Sequence, residues 1–175
     1  MSLVEISADI SVTLYFAALI LQRSSVTNES NRSKACRASN AIYLLGAGMM
    51  VIHILMAYRL AHDWSHEIAL EHTANETERV VGFRLASGLY VNFVFAAVFL
   101  GDAFWRVCVG VPGSRRPRGV AVAIDTFLLA IVIMATIVFE AGMVRWLSVL
   151  AVATITARAV RNRSTVRRPT TIETR

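Results

Sequence analysis

The chain has 175 residues, 55% of them hydrophobic, and a mean hydropathy of +0.54. That is too apolar for an ordinary soluble domain, and the apolar residues fall in long blocks rather than short alternating runs. The net charge of +6 does not point to nucleic acid, because no basic motif interleaved with aromatic residues occurs.

The first block runs from about Leu3 to Leu21. Glu5 and Asp9 precede its most apolar part, so it lacks the basic start of a signal peptide and reads as a retained helix. The second block spans about Ala38 to Leu60. The third spans about Gly82 to Trp105 and the fourth about Gly119 to Phe139. Each has the roughly 20 residues that a helix needs to cross a bilayer. Blocks this long without alternation are helices, not barrel strands. Small residues at 46–48 ("GAG"), and Ala97 with Gly101, suit close helix packing.

The final block, "WLSVLAVATITA", is bounded by Arg145 and Arg158. Its twelve residues reach only about 18 Å, and snorkelling arginines extend that. Charge placement decides the topology. Basic residues cluster at Arg23, Arg32, Lys34 and Arg37, at Arg106, Arg115, Arg116 and Arg118, and in the tail from Arg158 to Arg175. A fifth span puts all three clusters on one side, as the positive-inside bias requires.

The expectation is an all-α integral membrane protein, a bundle of about five transmembrane helices, with four plus a C-terminal surface helix as the alternative. Residues 1–160 form one domain with an outer hairpin at 61–81, and residues 161–175 form a basic cytoplasmic tail. The N-terminus lies outside and the C-terminus inside a bacterial inner membrane. Cys36 and Cys108 then face a reducing compartment as free thiols.

Residues 61 to 81 carry five acids and one arginine. "TANE" at 73–76 fits a capping box, which starts a helix near Ala74. The second helix can continue past Leu60 to about Ala69. Asn75-Glu76-Thr77 also fits a glycosylation sequon.

"HDWSHEIALEH" at 62–72 holds three of the four histidines. On a continuous helix His62 and His66 share one face, a spacing used for metals, with Asp63 or Glu67 as further ligands or orienting partners and His72 nearby. Zinc or copper suits such a set. Met49, His53 and Met56 form a second cluster, suited to copper(I) or to haem b through His53. Asp63 and Glu67 fall on the same side as His53. Glu5, Asp9, Arg84, Glu140 and Arg145 lie at similar depth and form a candidate polar pocket for a proton or cation path.

"HDWSH" at 62–66, "GLYVNFVF" at 88–95 followed by "GDAFW", and "IVFEAGMVRW" at 137–146 together resemble small, uncharacterised bacterial multi-pass membrane proteins. The resemblance implies an integral membrane protein and carries over no functional residue.

No Walker loop, dinucleotide glycine pattern, nucleophile elbow or H-E-x-x-H motif is present. These absences weigh against a familiar soluble-type catalytic domain and leave an intramembrane enzyme open. The expected function is a non-catalytic membrane component or small-ligand binder with a polar outer-face pocket. Its partners are the lipid bilayer and a homo-oligomer or larger membrane complex, not nucleic acid. The alternatives are a metal- or haem-binding protein for copper handling or electron transfer, and a proton- or cation-coupled transporter.

Overall fold

The structure, a computed structural model, describes residues 2–22, 29–109, 117–139, 149, 150 and 152–154. Glu140, Arg145, Arg158, the tail and most of the final apolar block lie outside these residues.

Among the described residues the α-helices are, in order, α1 (Leu3–Gln22), α2 (Glu29–Leu60), α3 (His66–Val81), α4 (Gly88–Cys108) and α5 (Arg118–Ile133). A π-helical turn, Met134–Phe139, extends α5. Among the described residues, four helices are long and apolar enough to cross a membrane: α1, α2, α4 and α5 with its extension. The count is that of the four-span alternative rather than of five spans.

The exposed faces of these helices carry Leu45, Ile52, Leu55, Val91, Val94, Phe104 and Val122. Apolar side chains that point away from the core along whole helices require a nonpolar solvent. The protein is an integral, multi-pass α-helical membrane protein.

Local signals explain the helix ends. "SLVE" opens α1 with a reciprocal cap. The Glu5 backbone N–H donates to Ser2 Oγ at 3.2 Å, and the Ser2 N–H donates to the Glu5 carboxylate at 2.8 Å. This is a capping box, and Glu5 is thereby committed to the helix end. Gly82 stops α3 in the left-handed region, at φ 87°, with its N–H on the Glu78 carbonyl; only glycine adopts that conformation freely.

α1 packs most extensively against α2. Gly46 lets them approach closely: a Cβ there would lie 3.2 Å from Leu14 Cβ and 3.3 Å from the Ser11 carbonyl oxygen. Serine hydroxyls join the pair. Ser11 Oγ donates to the Gly46 carbonyl at 2.9 Å, and Ser39 Oγ donates to the Ala18 carbonyl at 2.8 Å. Such bonds hold helices together where water is absent.

The core is an aromatic cluster. Tyr15 and Tyr43 both meet Phe99 edge-to-face, with ring centroids 5.5 and 4.9 Å apart. Leu128 and Val132 of α5 and Ala103 of α4 close it. Ala97 and Gly101, by contrast, are exposed, and Gly101 has open space where a Cβ would stand. Among the described residues the expected packing at that pair is not made, because α4 presents its Phe95–Phe99–Ala103 side to the core.

The segment after α2 departs most from expectation. α2 stops at Leu60 and α3 starts anew at His66. Between them Asp63 and Trp64 both take positive φ, 47° and 61°, and the Ser65 N–H donates to the His62 carbonyl at 2.7 Å. Positive φ at both central positions is the signature of a type I′ turn. Ser65 then caps α3, accepting the Ile68 N–H at 3.3 Å. "TANE" is not a helix start: Thr73 lies inside α3, with its hydroxyl on the Ala69 carbonyl. The third span correspondingly begins at Gly88 rather than Gly82.

Candidate functional site

The I′ turn rearranges the histidines. A continuous helix would place His62 beside His66. Instead His62 folds back over α3 and its ring lies 5.2 Å from that of His72, centroid to centroid. His62 is 8% exposed, and its Nδ1 is buried without a hydrogen-bond partner. An unmade bond at a buried nitrogen costs roughly 1–3 kcal/mol. Burial and the adjacent His72 ring both lower the proton affinity of His62, against a smaller hydrogen-bonding contribution from the Ala61 backbone that does not reach bond geometry at Nδ1. The neutral, ligand-competent ring is therefore favoured.

Metal–nitrogen bonds of about 2.0 Å put the ring centres of two imidazoles on one tetrahedral ion roughly 5 Å apart. The His62–His72 spacing fits that value. Among the described residues no three of His, Cys, Asp and Glu come together as a metal-ligand set. The pair therefore stands without a protein third ligand there, and the expected five-residue set does not assemble.

His66 is engaged elsewhere. Its Nδ1 lies 3.0 Å from the Tyr58 hydroxyl and its Nε2 lies 3.1 Å from the Tyr90 hydroxyl. A neutral imidazole has one N–H and one lone pair, so it donates to one phenol and accepts from the other. A metal at His66 would have to break one of these bonds. Tyr58 also contacts the His62 ring, 5.9 Å between centroids and nearly perpendicular. Tyr58 and Tyr90 gave no sequence signal beyond aromatic residues near span ends, where interfacial belts are common.

Asp63 and Glu67 do not form a column above His53. The Asp63 side chain is 89% exposed and meets Arg59 at 4.0 Å; Glu67 is exposed too. The helix break turns both away. His53 packs onto α1: its Nδ1 lies 3.0 Å from the Val4 carbonyl and 3.2 Å from Ser7 Oγ. A carbonyl can only accept, so Nδ1 carries the proton and Nε2 of the neutral ring keeps the lone pair. Met49 and Met56 are half-buried on the same helix.

The candidate polar pocket divides. Asp9 lies within electrostatic reach of Glu5 and His53. Arg84 belongs instead to α3, donating to Glu71 at 2.7 Å, Asn75 at 2.6 Å and Glu78 at 3.2 Å. Asn75 is thus engaged through its side-chain oxygen. Thr77 is buried and bonded to the Thr73 carbonyl, which leaves the sequon inside a helix.

A second polar cluster sits at the opposite end of the bundle. Arg106 Nε donates to Asp102 at 2.8 Å, Nη2 to Asp125 at 2.9 Å and Nη1 to Gln22 at 3.1 Å. The guanidinium lies 4.3 Å over the Tyr43 ring. The Asn40 amide donates to the Arg106 carbonyl at 2.9 Å. One arginine thereby joins α1, α2, α4 and α5. Asp102 and Arg106 stand four apart on one helix, a spacing that pairs side chains and is readable in the sequence; the contacts of Gln22, Asn40 and Tyr43 come from packing alone.

No family model, curated protein or solved structure matches the chain. The structure therefore supports the coarser statement alone, that of a helical multi-pass membrane protein.

Proposed function

We propose that this membrane protein binds a metal ion at its α3 end through the imidazoles of His62 and His72. The carrying observation is the buried, unpartnered Nδ1 of His62 beside a second imidazole. A bound ion would take up the lone pair that the protein leaves unmatched. Imidazole ligands suit zinc or copper, whereas calcium and magnesium call for shells of oxygen. Two protein ligands leave coordination positions open to water or a small ligand, the pattern of exchange or reaction sites rather than closed structural ones. By the positive-inside bias this end faces outward from a bacterial inner membrane.

A second reading places copper or haem b at His53, supported by its Nδ1–H on the Val4 carbonyl, which leaves Nε2 as the ligand nitrogen. Metal analysis of the detergent-purified protein, loaded with zinc or copper and then desalted, tests both. The expected result is stoichiometric metal that is lost in His62→Ala and in His72→Ala but retained in His66→Ala and His53→Ala. Substoichiometric metal in the parent protein overturns the first reading. A Soret band, or loss confined to His53→Ala, favours the second.

A further inference from the structure

We propose that Asp63 and Trp64 are positioning residues, whose consecutive left-handed conformations form the turn that carries the His62 imidazole onto His72. The inference rests on the metal reading above and assigns the element that builds the site.

The backbone there is unusual for its sequence. A type I′ turn normally places glycine, asparagine or aspartate at its central positions, because L side chains with a Cβ resist positive φ. Asp63 meets that preference in part. Trp64, at φ 61°, does not. Large residues in this region persist only where the surroundings impose them, and such positions concentrate at functional sites.

The surroundings that impose it are visible. The Trp64 N–H donates to the Tyr58 carbonyl at 2.8 Å, closing the end of α2. The Trp64 ring leans toward the Tyr58 ring, with centroids 6.5 Å apart. On the other side the Ser65 N–H is held by the His62 carbonyl, and Ser65 Oγ caps α3. The turn is thus fixed at both ends, and His62 is the residue immediately before its left-handed pair. Had the helix continued, His62 and His72 would stand ten positions apart on one rod, about 15 Å along its axis. The reversal brings their rings to 5.2 Å.

The test separates the backbone conformation from the indole ring. Trp64→Asn and Trp64→Val both remove the ring, but asparagine tolerates the left-handed region and a β-branched residue does not. Zinc affinity is measured by competition titration, and the absorption spectrum of bound cobalt(II) reports the ligand geometry. Thermal unfolding of the metal-free proteins is followed in parallel. The expected result is zinc binding in Trp64→Asn equal to or tighter than in the parent, and binding roughly tenfold weaker or more in Trp64→Val. The cobalt spectrum changes only in the valine variant, while the bundle's melting temperature differs little between the two. Equal affinities in the two variants overturn the positioning role even though the parent binds metal. A parent protein that binds neither zinc nor cobalt overturns the underlying metal reading itself. Should Trp64→Val not yield monodisperse protein, Trp64→Ala replaces it, since alanine also resists positive φ without branching at Cβ.

Discussion

The Tyr43 hydroxyl donates to the Asp102 carboxylate at 2.9 Å, and neither side chain meets solvent to any extent. The Arg106 guanidinium completes the arrangement, bonded to Asp102 and stacked on the Tyr43 ring. Removing Arg106 strips a buried carboxylate of its cationic partner, an effect of about 3–5 kcal/mol in comparable buried pairs. Arg106→Ala should therefore lower the melting temperature in detergent far more than Asp125→Asn, whose side chain is 56% exposed. Tyr43→Phe should fall between them, at about 1.5–3 kcal/mol, because it deletes one hydrogen bond to a charged group.

The glycines make a contrasting set. A methyl at Gly46 meets the Ser11 backbone oxygen and the Leu14 Cβ of α1, whereas at Gly48 and Gly101 no described residue would lie within 4 Å of it. Overpacking at a tight helix crossing typically costs about 1–3 kcal/mol. Gly46→Ala is expected to destabilise the fold, while Gly48→Ala and Gly101→Ala leave it unchanged or stabilise it by up to about 1 kcal/mol through helix propensity. Thermal or denaturant unfolding of the three variants decides this.

α3 should loosen in acid. The bond from Arg84 holds the Glu71 carboxyl below its ordinary value, and the bond from Arg79 does the same to Glu76. A carboxyl depressed in the folded state contributes stability above its unfolded pKa and loses it as pH falls through the folded value. Amide exchange in α3, relative to α4, should therefore rise as pH falls below about 4.3. In Arg84→Ala the two helices should diverge less with pH. An unchanged divergence in that variant sinks the assignment to Arg84.

His62 has the opposite chemistry and the same direction of response. Burial beside His72 lowers its proton affinity in the native state. The unfolded ring takes up a proton near pH 6.5, so folding is disfavoured as pH drops through that value. His62→Phe removes both the titrating group and the unmatched Nδ1. The metal-free variant should be more stable than the parent, with a flatter stability profile between about pH 7 and 5. A metal-free His62→Phe protein less stable than the parent at pH 5 argues against the unmatched nitrogen.

Four of the five expected spans were legible because apolar length is a property of composition, and composition does not depend on contacts. The Asp102–Arg106 pair was legible for a related reason, being four residues apart on one helix. "SLVE" also carried its capping box openly, although the apolar run behind it drew the reading of Glu5 toward a transport path. The break at 61–65 was not legible. It contains no glycine or proline, and tryptophan has no preference for the left-handed region. A helix continued through 61–65 puts His62 beside His66 and sets Asp63 and Glu67 above His53, and the break undoes both placements. The bonds of His66 to Tyr58 and Tyr90, and of Arg106 to Gln22 and Asn40, link residues whose proximity is decided only by packing.

The serine bonds between α1 and α2 bear on how the chain enters the membrane. α1 carries Glu5, Ser7, Asp9 and Ser11 within its first three turns, a costly load for a helix inserted by itself. α2 receives the Ser11 hydroxyl on its Gly46 carbonyl and brings His53 to Val4 and Ser7. The two helices therefore make a better partitioning unit than either makes separately. In a translocon insertion assay, a chain ending near residue 30 should integrate poorly, one extended through Leu60 should integrate well, and Gly46→Leu should reduce the gain. On this account the crossing at Gly46 acts during biosynthesis, before α4 and α5 have left the ribosome.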